Sequence, residues 1–367
     1  MKQKRLLSGS ASLTRAAVAI VLLAAAFFLN RFAAYIPENI LTSWRGFSLA
    51  YSSFVSKFAG RLPFSLAELI FYALILTVVT AFATVLSSII TFKEAGRMGS
   101  FISGLLVGAG ILVLLYYLLF GLWFNFDSPV MRKIERVSPT TELLYAASAD
   151  MQGKANALSR EIPRKTDGTP NFGSFEELAE AVCERYGKRL EGLTDEPAEV
   201  ALPKKVLWSV GLSQLGITGI YIPYTGECNL NSDVPVVSLP FTMAHELSHR
   251  YGTAREDECN YIAIDLLLDA NEEESYSAAF MGYLYLTNAL YKADPELWQE
   301  LKDTEDPLLS SDLAIHLAYW KSYEGKSRQV ASAINDAQLK INGQKDGEQS
   351  YGRVTDLLIS RYAAESK

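Results

Sequence analysis

The amino-acid sequence predicts a mainly α-helical membrane protein, with three N-terminal transmembrane helices followed by a mostly helical domain that contains a short β strand or hairpin. Three apolar segments lie in the first third of the chain, and helical patterns dominate the rest apart from one strand-like stretch. Residues 1–126 hold ten Lys or Arg and three Asp or Glu, whereas residues 127–367 hold 24 basic and 38 acidic side chains. We therefore predict a membrane domain over 1–126 and an acidic domain over 127–367.

Composition restricts the kind of protein. The chain has 367 residues, of which 49% are hydrophobic and 20% are charged, so a disordered or collagen-like chain is excluded. The net charge of −7 disfavours a general nucleic-acid binder, and we expect no nucleic-acid partner. Three cysteines are too few for a dense disulfide scaffold.

The three apolar segments are long enough to cross a lipid bilayer. The predicted spans are about 16–36, 67–92 and 99–124. The uncharged stretch Leu69–Phe92 has 24 residues. A helix of that length is about 36 Å long, against a hydrocarbon core of roughly 30 Å. A buried core helix is the alternative, but no polar face interrupts the second and third segments, so the bilayer is a predicted partner.

The first segment has a second interpretation as a cleaved signal peptide. It follows a basic start at Lys2, Lys4 and Arg5 and ends near the small residues Ala33 and Ala34, as signal peptides do. Its apolar run extends past the usual signal-peptide core, which favours a retained helix.

Basic residues beside the spans predict the orientation. Those at the N-terminus and in the short loop between the second and third spans are Lys2, Lys4, Arg5, Arg15, Lys93 and Arg97. Because cytoplasmic loops are enriched in basic residues, we expect the N-terminus inside the cell and the acidic domain outside it. The longer loop from Pro37 to Leu66 is expected to lie partly in the membrane interface. Its aromatic residues include Trp44, Phe47, Tyr51, Phe54 and Phe58.

The acidic domain begins with two capped helices. Ser138 and Pro139 are a favoured N-cap and first residue, and they predict a helix that runs to about Ile162. Ser174 and Glu177 form a capping-box pattern for the next helix, after a turn-rich linker.

One strand-like segment interrupts the later helices. A third helix is predicted over Lys204–Leu215, and Ile217–Leu230 is the best strand candidate because it is rich in Ile, Tyr and Thr. Helical patterns return from Pro240, and the apolar stretch Ala278–Tyr291 predicts a core helix because it is too short to span a bilayer.

The most specific motif is HExxH at 245–249, which contains two of the three histidines in the chain. Residues four apart share one face of a helix, so His245 and His249 can bind one zinc ion. Glu246 projects beside them and can act as general base. The alternative is an exposed helix with ordinary surface His and Glu side chains.

A catalytic zinc site needs a third protein ligand and an open position. Glu256 is the first choice, because Gly252 can turn the chain and place Glu256 in the first turn of a following helix. Asn260 lies one turn further on the same face, where it can orient a ligand. A capping box with Thr253 would explain Glu256 without a metal. The reserve candidates are Glu258 and, more weakly, Glu227.

The motif region resembles the DUF3810 family of bacterial membrane proteins. The stretches that carry the resemblance are PYTGECNLN, PFTMAHELSHRYG and AREDECNYIA, between Tyr221 and Ala263. Three N-terminal spans followed by an exported HExxH domain also match the layout of that family. The resemblance implies a multi-pass protein of the bacterial inner (plasma) membrane, whose extracytoplasmic domain is zincin-like with its motif core at 217–268.

The stretch EDECNYIA is also similar to the E-x-x-A-N/D motif of gluzincin-type peptidases. This similarity implies Zn²⁺ held by His245, His249 and Glu256, with Glu246 as general base and Asn260 in the place of the motif's Asn or Asp. The implied protein is a membrane-anchored zinc metalloendopeptidase that hydrolyses a peptide or protein substrate. The alternative is a membrane-tethered sensor or scaffold that binds zinc without turnover.

Cys228 and Cys259 stand where the resembled family usually has small residues. Both lie next to an active-site segment in a domain expected outside the cytoplasm, so one hypothesis is a disulfide between them, with Cys183 unpaired. Two buried free thiols are an equally good explanation.

Four further side chains are candidates for stabilising an oxyanion or binding substrate, with ordinary packing as the alternative for each. They are Tyr221, Tyr224, Tyr251 and His316. The tyrosines lie near the motif in sequence, and the histidine lies on a later helical segment.

Overall fold

The computed structural model describes residues 2–91, 95–126, 128, 130–191, 201–344, 347 and 353–366. Phe92, the last residue of the second predicted span, and the loop residue Lys93 lie outside the described residues. The N-terminal part is formed by the helices α1 (Lys2–Phe32), α2 (Glu38–Gly60), α3 (Leu66–Thr91) and α4 (Ala95–Leu119).

Three of these helices are long and apolar enough to cross a membrane, which confirms the predicted membrane character. The candidate spans are Ala11–Tyr35, Leu66–Ser87 and Gly99–Leu119. Helix α1 packs along α4, where the Arg15 guanidinium donates to the carbonyl and hydroxyl oxygens of Ser100 at 3.1 and 2.6 Å. The surface of α3 is almost entirely exposed, as expected for a helix surrounded by lipid.

The helix of the third span ends earlier than predicted. Helix α4 ends at Leu119 and not near residue 124, because Phe120 leaves the helical conformation with φ −147°. A short 3-10 helix follows over Gly121–Asn125, and Trp123 and Phe124 are buried in the core of the acidic domain. These apolar side chains pack against protein and not against lipid. Hydropathy alone does not distinguish the two environments.

Helices dominate the acidic domain, as predicted. They are α5 (Thr141–Glu161), α6 (Phe175–Glu191), α7 (Ser209–Leu215), α8 (Leu239–Arg250), α9 (Glu256–Leu267), α10 (Glu272–Ala293), α11 (Pro295–Lys302), α12 (Pro307–Ser322), α13 (Lys326–Ile341) and α14 (Val354–Glu365). Helix α10 packs against α5, α8 and α9, and its Tyr276, Phe280 and Tyr283 are fully buried. It is the core helix predicted at Ala278–Tyr291, and it supports the helices that carry the HExxH motif.

One of the two predicted helix caps is confirmed. Ser174 and Glu177 form the reciprocal capping box, with the Ser174 amide 2.7 Å from the Glu177 carboxylate and the Glu177 amide 3.2 Å from the Ser174 hydroxyl. Helix α5, however, is capped by Thr140, whose hydroxyl accepts from the amide of Leu143, and not by Ser138. Several polar residues precede this helix, and only the path of the chain decides which one caps it.

A small sheet stands beside the motif helix. Its strands are β1 (Lys204–Lys205), β2 (Gly219–Ile222) and β3 (Glu227–Leu230). The order is β1-β3-β2, with β2 antiparallel and β1 parallel to β3. The predicted hairpin is confirmed. The third predicted helix begins only at Ser209, because Lys204 pairs with Asn229 in the sheet.

Candidate metal centre

Two helices bring together three side chains that could bind a metal ion. His245 and His249 lie on α8, and Glu256 is the first residue of α9. The Glu256 Oε2 atom is 3.1 Å from His245 Nε2 and 3.5 Å from His249 Nε2. One donor atom from each residue lies within 4.8 Å of the other two, so the group could hold one metal ion.

The turn between α8 and α9 decides which acidic residue joins the histidines. Gly252 adopts φ 96°, a left-handed conformation that suits glycine, and the chain reverses there. Helix α9 begins at Glu256, with Arg255 as N-cap and without a side-chain capping hydrogen bond. The capping box with Thr253 is therefore wrong as an explanation of Glu256, and its carboxylate faces the two imidazoles.

Each histidine is oriented through its other ring nitrogen. The His245 Nδ1 atom is 2.8 Å from the Asn260 side-chain oxygen, and the His249 Nδ1 atom is 2.9 Å from the Thr253 carbonyl oxygen. Both partners are acceptors, so we assign the proton to Nδ1 in each ring. The Nε2 lone pairs are then free for a metal. The structure therefore places Asn260 where the sequence predicted it.

The Glu256 carboxylate and the His249 imidazole have shifted pKa values. Burial alone would raise the pKa of Glu256, but the neighbouring His249 and His245 hold it well below its usual range. Burial alone would lower the pKa of His249, but the Glu256 carboxylate raises it well above its usual value. The cluster therefore attracts a positive charge, which either a proton or a metal cation can supply.

Glu246 is buried beside this cluster, with 3% of its surface exposed. Burial raises the pKa of its carboxyl group, toward which the Tyr221 amide donates a hydrogen bond. Its Oε2 atom has no hydrogen-bond partner among the described residues. A Cβ atom on Gly219 of β2 would lie only 2.8 Å from Glu246 Cγ, so a larger residue there would displace the Glu246 side chain. A buried carboxyl oxygen without a partner is costly, which makes it a candidate for proton or ligand handling.

The reserve candidates for the third ligand are engaged elsewhere. The Glu258 carboxylate accepts a hydrogen bond from the Ser128 amide at 2.9 Å. The Glu227 carboxylate accepts from the Leu66 and Ala67 amides at 3.0 and 2.8 Å, at the start of α3. Neither residue belongs to the three-residue group, so the geometry favours Glu256.

The hypothetical disulfide between Cys228 and Cys259 is wrong, because both are buried free thiols, as is Cys183. The Cys259 sulfur lies 3.3 Å from His249 Nδ1 and 3.4 Å from the Thr253 carbonyl oxygen, behind the metal-binding face of the ring. Burial raises the pKa of this thiol to about 12, so it is neutral near pH 7. Cys259 therefore packs against a histidine and does not link the hairpin to α9 through a disulfide.

The three candidate tyrosines have packing partners. The Tyr221 hydroxyl pairs with the Ser52 hydroxyl at 3.0 Å, the Tyr224 hydroxyl donates to the Leu112 carbonyl at 2.9 Å, and the Tyr251 ring stacks on Tyr186 at 5.1 Å. Contacts of this kind match the packing alternative and do not direct these side chains to a substrate.

His316 lies apart from the other two histidines, on α12. Its ring packs against Phe280 and Trp320, with centroid distances of 5.5 and 6.4 Å. Burial lowers the pKa of His316 to about 4, and in the described structure its Nδ1 atom has no hydrogen-bond partner. This environment is that of a neutral core histidine.

Three aromatic residues near the metal centre were not singled out from the sequence. The Phe120 ring is 5.7 Å from the His249 ring, and the Phe241 ring is 6.1 Å from the His245 ring. Tyr285 of α10 packs against Phe241 at 6.2 Å, and burial together with the Glu256 charge raises its pKa. These residues come from three separate segments. The sequence predicted Phe120 to lie in the third span and Tyr285 in the core helix at Ala278–Tyr291, and it gave no reason to place either beside the histidines.

The fold and this cluster define a membrane protein that carries a candidate His–His–Glu metal centre beside a small sheet. The model of DUF3810, described as a protein of unknown function, matches residues 44–359, and the chain belongs to this family. No curated protein and no solved structure matches the chain. The family resemblance found in the sequence is therefore confirmed.

Proposed function

We propose that the protein is a membrane-anchored, zinc-dependent peptidase whose metal centre lies on the extracytoplasmic side of a bacterial cell membrane. One observation carries the proposal. Glu246 is buried beside three converging donors, His245, His249 and Glu256, and one of its carboxyl oxygens has no hydrogen-bond partner among the residues that the structure describes. A site that only stored a metal would not need this second, buried carboxyl group beside Glu256.

The donor set suits zinc. Two imidazole nitrogens and one carboxylate oxygen are typical of catalytic zinc sites, which keep a further position open for water or substrate. The Nδ1 hydrogen bonds of His245 and His249 present both Nε2 lone pairs in advance. When bound, zinc supplies Lewis acidity that polarises a carbonyl group and makes water more acidic.

Glu246 handles the proton in this proposal. Its Oε2 atom, which no described residue hydrogen-bonds, accepts a proton from the attacking water and then delivers it to the nitrogen of the leaving amine. The raised pKa of Glu246 brings it closer to neutral pH, where a carboxyl group can both accept and return a proton. The close approach of Gly219 and the Tyr221 amide hold the carboxyl group in place.

The edge of the sheet can hold an extended peptide. Strand β2 is an edge strand of the described sheet. The Asn231 amide bonds to the Thr218 carbonyl, so alternation in an antiparallel pair turns the backbone of Gly219 and Tyr221 toward the opposite edge. On that edge the Tyr221 amide already bonds to Glu246, so a substrate would pair with the Gly219 backbone and would then pass the metal centre.

The test uses the purified full-length protein in lipid nanodiscs. We expect one zinc per chain by metal analysis and cleavage of members of a peptide library. The Glu246→Gln variant should keep its zinc and lose about 10³-fold in rate, because general-base catalysis is worth about 10²–10⁴-fold. Glu300→Gln makes the same chemical change at an exposed position on α11 and should cleave at the wild-type rate.

Two results would contradict the proposal. Equal cleavage by the wild type and Glu246→Gln would remove the mechanism. Bound zinc with no cleavage of any peptide would instead favour the zinc-binding sensor or scaffold.

A further inference from the structure

We infer that the metal centre works at the bilayer surface, on peptide segments that lie in or next to the lipid–water interface. Three segments, α2, residues 207–210 and α13, form an apolar surface that we call the membrane-facing base. The class of substrate inferred here depends on the proposed function. The contact of the membrane-facing base with lipid does not depend on it.

The side of α2 that faces the protein is polar. Buried serines lie there at four-residue spacing: Ser48, Ser52 and Ser56. Their hydroxyl oxygens pair with the Trp123 indole N–H, the Tyr221 hydroxyl and the Arg250 guanidinium at 3.1, 3.0 and 2.6 Å. Tyr221 belongs to β2 and Arg250 to α8, so α2 is attached directly to the two elements that build the metal centre.

The opposite side of α2 is apolar and exposed. Phe47, Phe54 and Phe58 point outward, and Phe54 is 74% exposed. A surface helix in water has the reverse arrangement, with its apolar side toward the core. Short connections join α2 to α1 on one side and to α3 on the other, so its apolar side continues the lipid-facing surface of two spans. Interfacial helices bury such a side about 5–10 Å into the headgroup boundary.

Residues 207–210 add a second apolar patch at the start of α3. Leu207 is 86% exposed, and the Trp208 ring stacks on Phe71 of α3 at 6.3 Å. The Leu207 and Trp208 amides donate to the Glu68 carboxylate in the first turn of α3 at 2.8 and 2.9 Å. Tryptophan and exposed leucine at the end of a span are typical of a membrane interface.

Helix α13 forms the third part of the base. Its exposed apolar residues include Val330 and Ile334, of which Ile334 is 65% exposed. At its C-terminal end, the Ile341 carbonyl accepts from the Asn30 side chain of α1 at 2.9 Å, and Gln338 donates to the Tyr116 hydroxyl of α4 at 3.1 Å.

The three parts meet the same side of the membrane helices. Helices α1 and α4 are contacted near their C-terminal ends and α3 near its N-terminal end, and an up-down-up arrangement places these ends in one leaflet. The membrane-facing base therefore contacts the lipid of that leaflet.

The metal centre lies close to the end of a transmembrane helix. Phe120 is the first residue after the span Gly99–Leu119, and its ring is 5.7 Å from the ring of His249 and 5.6 Å from that of Tyr221. One side chain thus separates the end of a transmembrane helix from a metal-binding histidine. A substrate segment that reaches the centre must lie close to the bilayer, as does the part of a membrane-anchored polypeptide next to its anchor.

Spin labels test the seating on lipid without any activity. Phe54→Cys and Ile334→Cys carry the label on the base, and Glu300→Cys carries it on an exposed site of α11. The three native cysteines are buried, and an unmutated sample measures their background. In proteoliposomes, the labels at 54 and 334 should be accessible to oxygen and protected from a water-soluble nickel chelate, and the label at 300 should show the reverse.

Two results would overturn the seating. Labels at 54 and 334 that the nickel chelate reaches as readily as the label at 300 would place the base in water. Labels protected from both reagents would show that protein, such as a second copy of the chain, covers the base.

Acylated peptides test the substrate class. One cleavable library peptide is compared in three forms: free, joined to a palmitoyl chain directly, and joined through a Gly/Ser linker of about 30 residues, which reaches about 30 Å. The directly anchored form should be cleaved at least about tenfold faster than the free form in proteoliposomes, through its higher local concentration. It should also be cleaved at least as fast as the long-linker form.

Cleavage of the long-linker form alone would place the centre away from the surface, and equal rates for the free and directly anchored forms would also overturn the inference. Absence of cleavage of every form would contradict the proposed function instead, and the spin-label result would be unaffected.

Discussion

Glu227 and Glu246 are buried glutamates on neighbouring elements, β3 and α8, with opposite surroundings. The Glu227 carboxylate accepts hydrogen bonds from the Leu66 and Ala67 amides and from Lys204 Nζ, at 3.0, 2.8 and 2.9 Å. The Glu246 carboxyl group keeps Oε2 without a partner in the described part of the chain. The first is saturated, whereas the second has acceptor capacity left over.

This difference separates a structural carboxylate from one available for chemistry. Glu227 binds the free amides at the N-terminus of α3, where the helix dipole favours a negative charge, and so ties the sheet to a membrane helix. Glu246 stands beside His245 and His249, which together with the Tyr221 amide favour its charge, but burial is the larger influence and raises its pKa. Burial does not distinguish these two glutamates, but the hydrogen bonds that each carboxylate accepts do.

Removing the saturated carboxylate should have the largest effect on stability. Glu227→Gln places an amide against Lys204 and two backbone donors, so we expect the free energy of unfolding to fall by about 3 kcal/mol, as when a buried pair is broken. Thermal unfolding in nanodiscs measures this loss. Zinc binding by the folded fraction should be unchanged, and a parallel loss of zinc affinity would break the distinction between the two carboxylates.

Removing the carboxylate that faces the imidazoles should act on the metal instead. Glu256→Gln should weaken zinc affinity by more than about 100-fold, beyond what loss of a supporting residue causes. Chelator competition measures the affinity. Glu258→Gln, two residues along α9, is the matched control and should retain zinc because Glu258 contacts Ser128 instead. If Glu258→Gln lost zinc and Glu256→Gln kept it, Glu258 would be the third metal ligand and Glu256 would not.

Removing the residue that orients His245 should have a smaller effect. Asn260→Ala deletes the acceptor for His245 Nδ1, and we expect zinc affinity to fall by about 10–100-fold. Asn260→Asp keeps an acceptor oxygen and should restore most of the affinity. Equal losses in both variants would indicate that Asn260 supports the fold and not the tautomer of His245.

The smallest expected effect concerns His316 and acid. Burial lowers its pKa from 6.5 to about 4, so the unfolded chain binds a proton more readily than the folded chain between these values. The stability from this neutral histidine is complete above pH 6.5 and is lost as the pH falls toward 4. When the pH falls from about 7 to about 5.5, the free energy of unfolding of His316→Phe should decrease by about 1 kcal/mol less than that of the wild type. Chemical unfolding at both pH values measures this, and identical acid sensitivity would show that His316 is not a buried neutral base.

Local patterns in the sequence predicted much of the candidate site. The HExxH spacing places His245 and His249 on one helical face, and Gly252 predicts the turn that follows. Glu256 and Asn260 follow from their positions in the next helix, α9. These are relations between residues close together in the chain, where helical geometry is sufficient.

Contacts between distant segments were not predictable in the same way. The sequence alone allows Glu227 as a metal ligand. The structure shows that its carboxylate binds the first amides of α3 instead. The sequence alone also allows a disulfide between Cys228 and Cys259. The structure places the Cys259 sulfur against His249. The end of α4 was misplaced because Trp123 is as apolar in a protein core as in lipid.

The sequence by itself determined the three apolar spans, the mainly helical class, the hairpin and the HExxH face, because length and periodicity act locally. Only the tertiary structure decided which carboxylates are satisfied, how α2 turns its phenylalanines outward, and how near His249 lies to the end of a span. Hydrogen bonds and burial depend on neighbours that the chain brings from far away, and no local pattern records which neighbours these are.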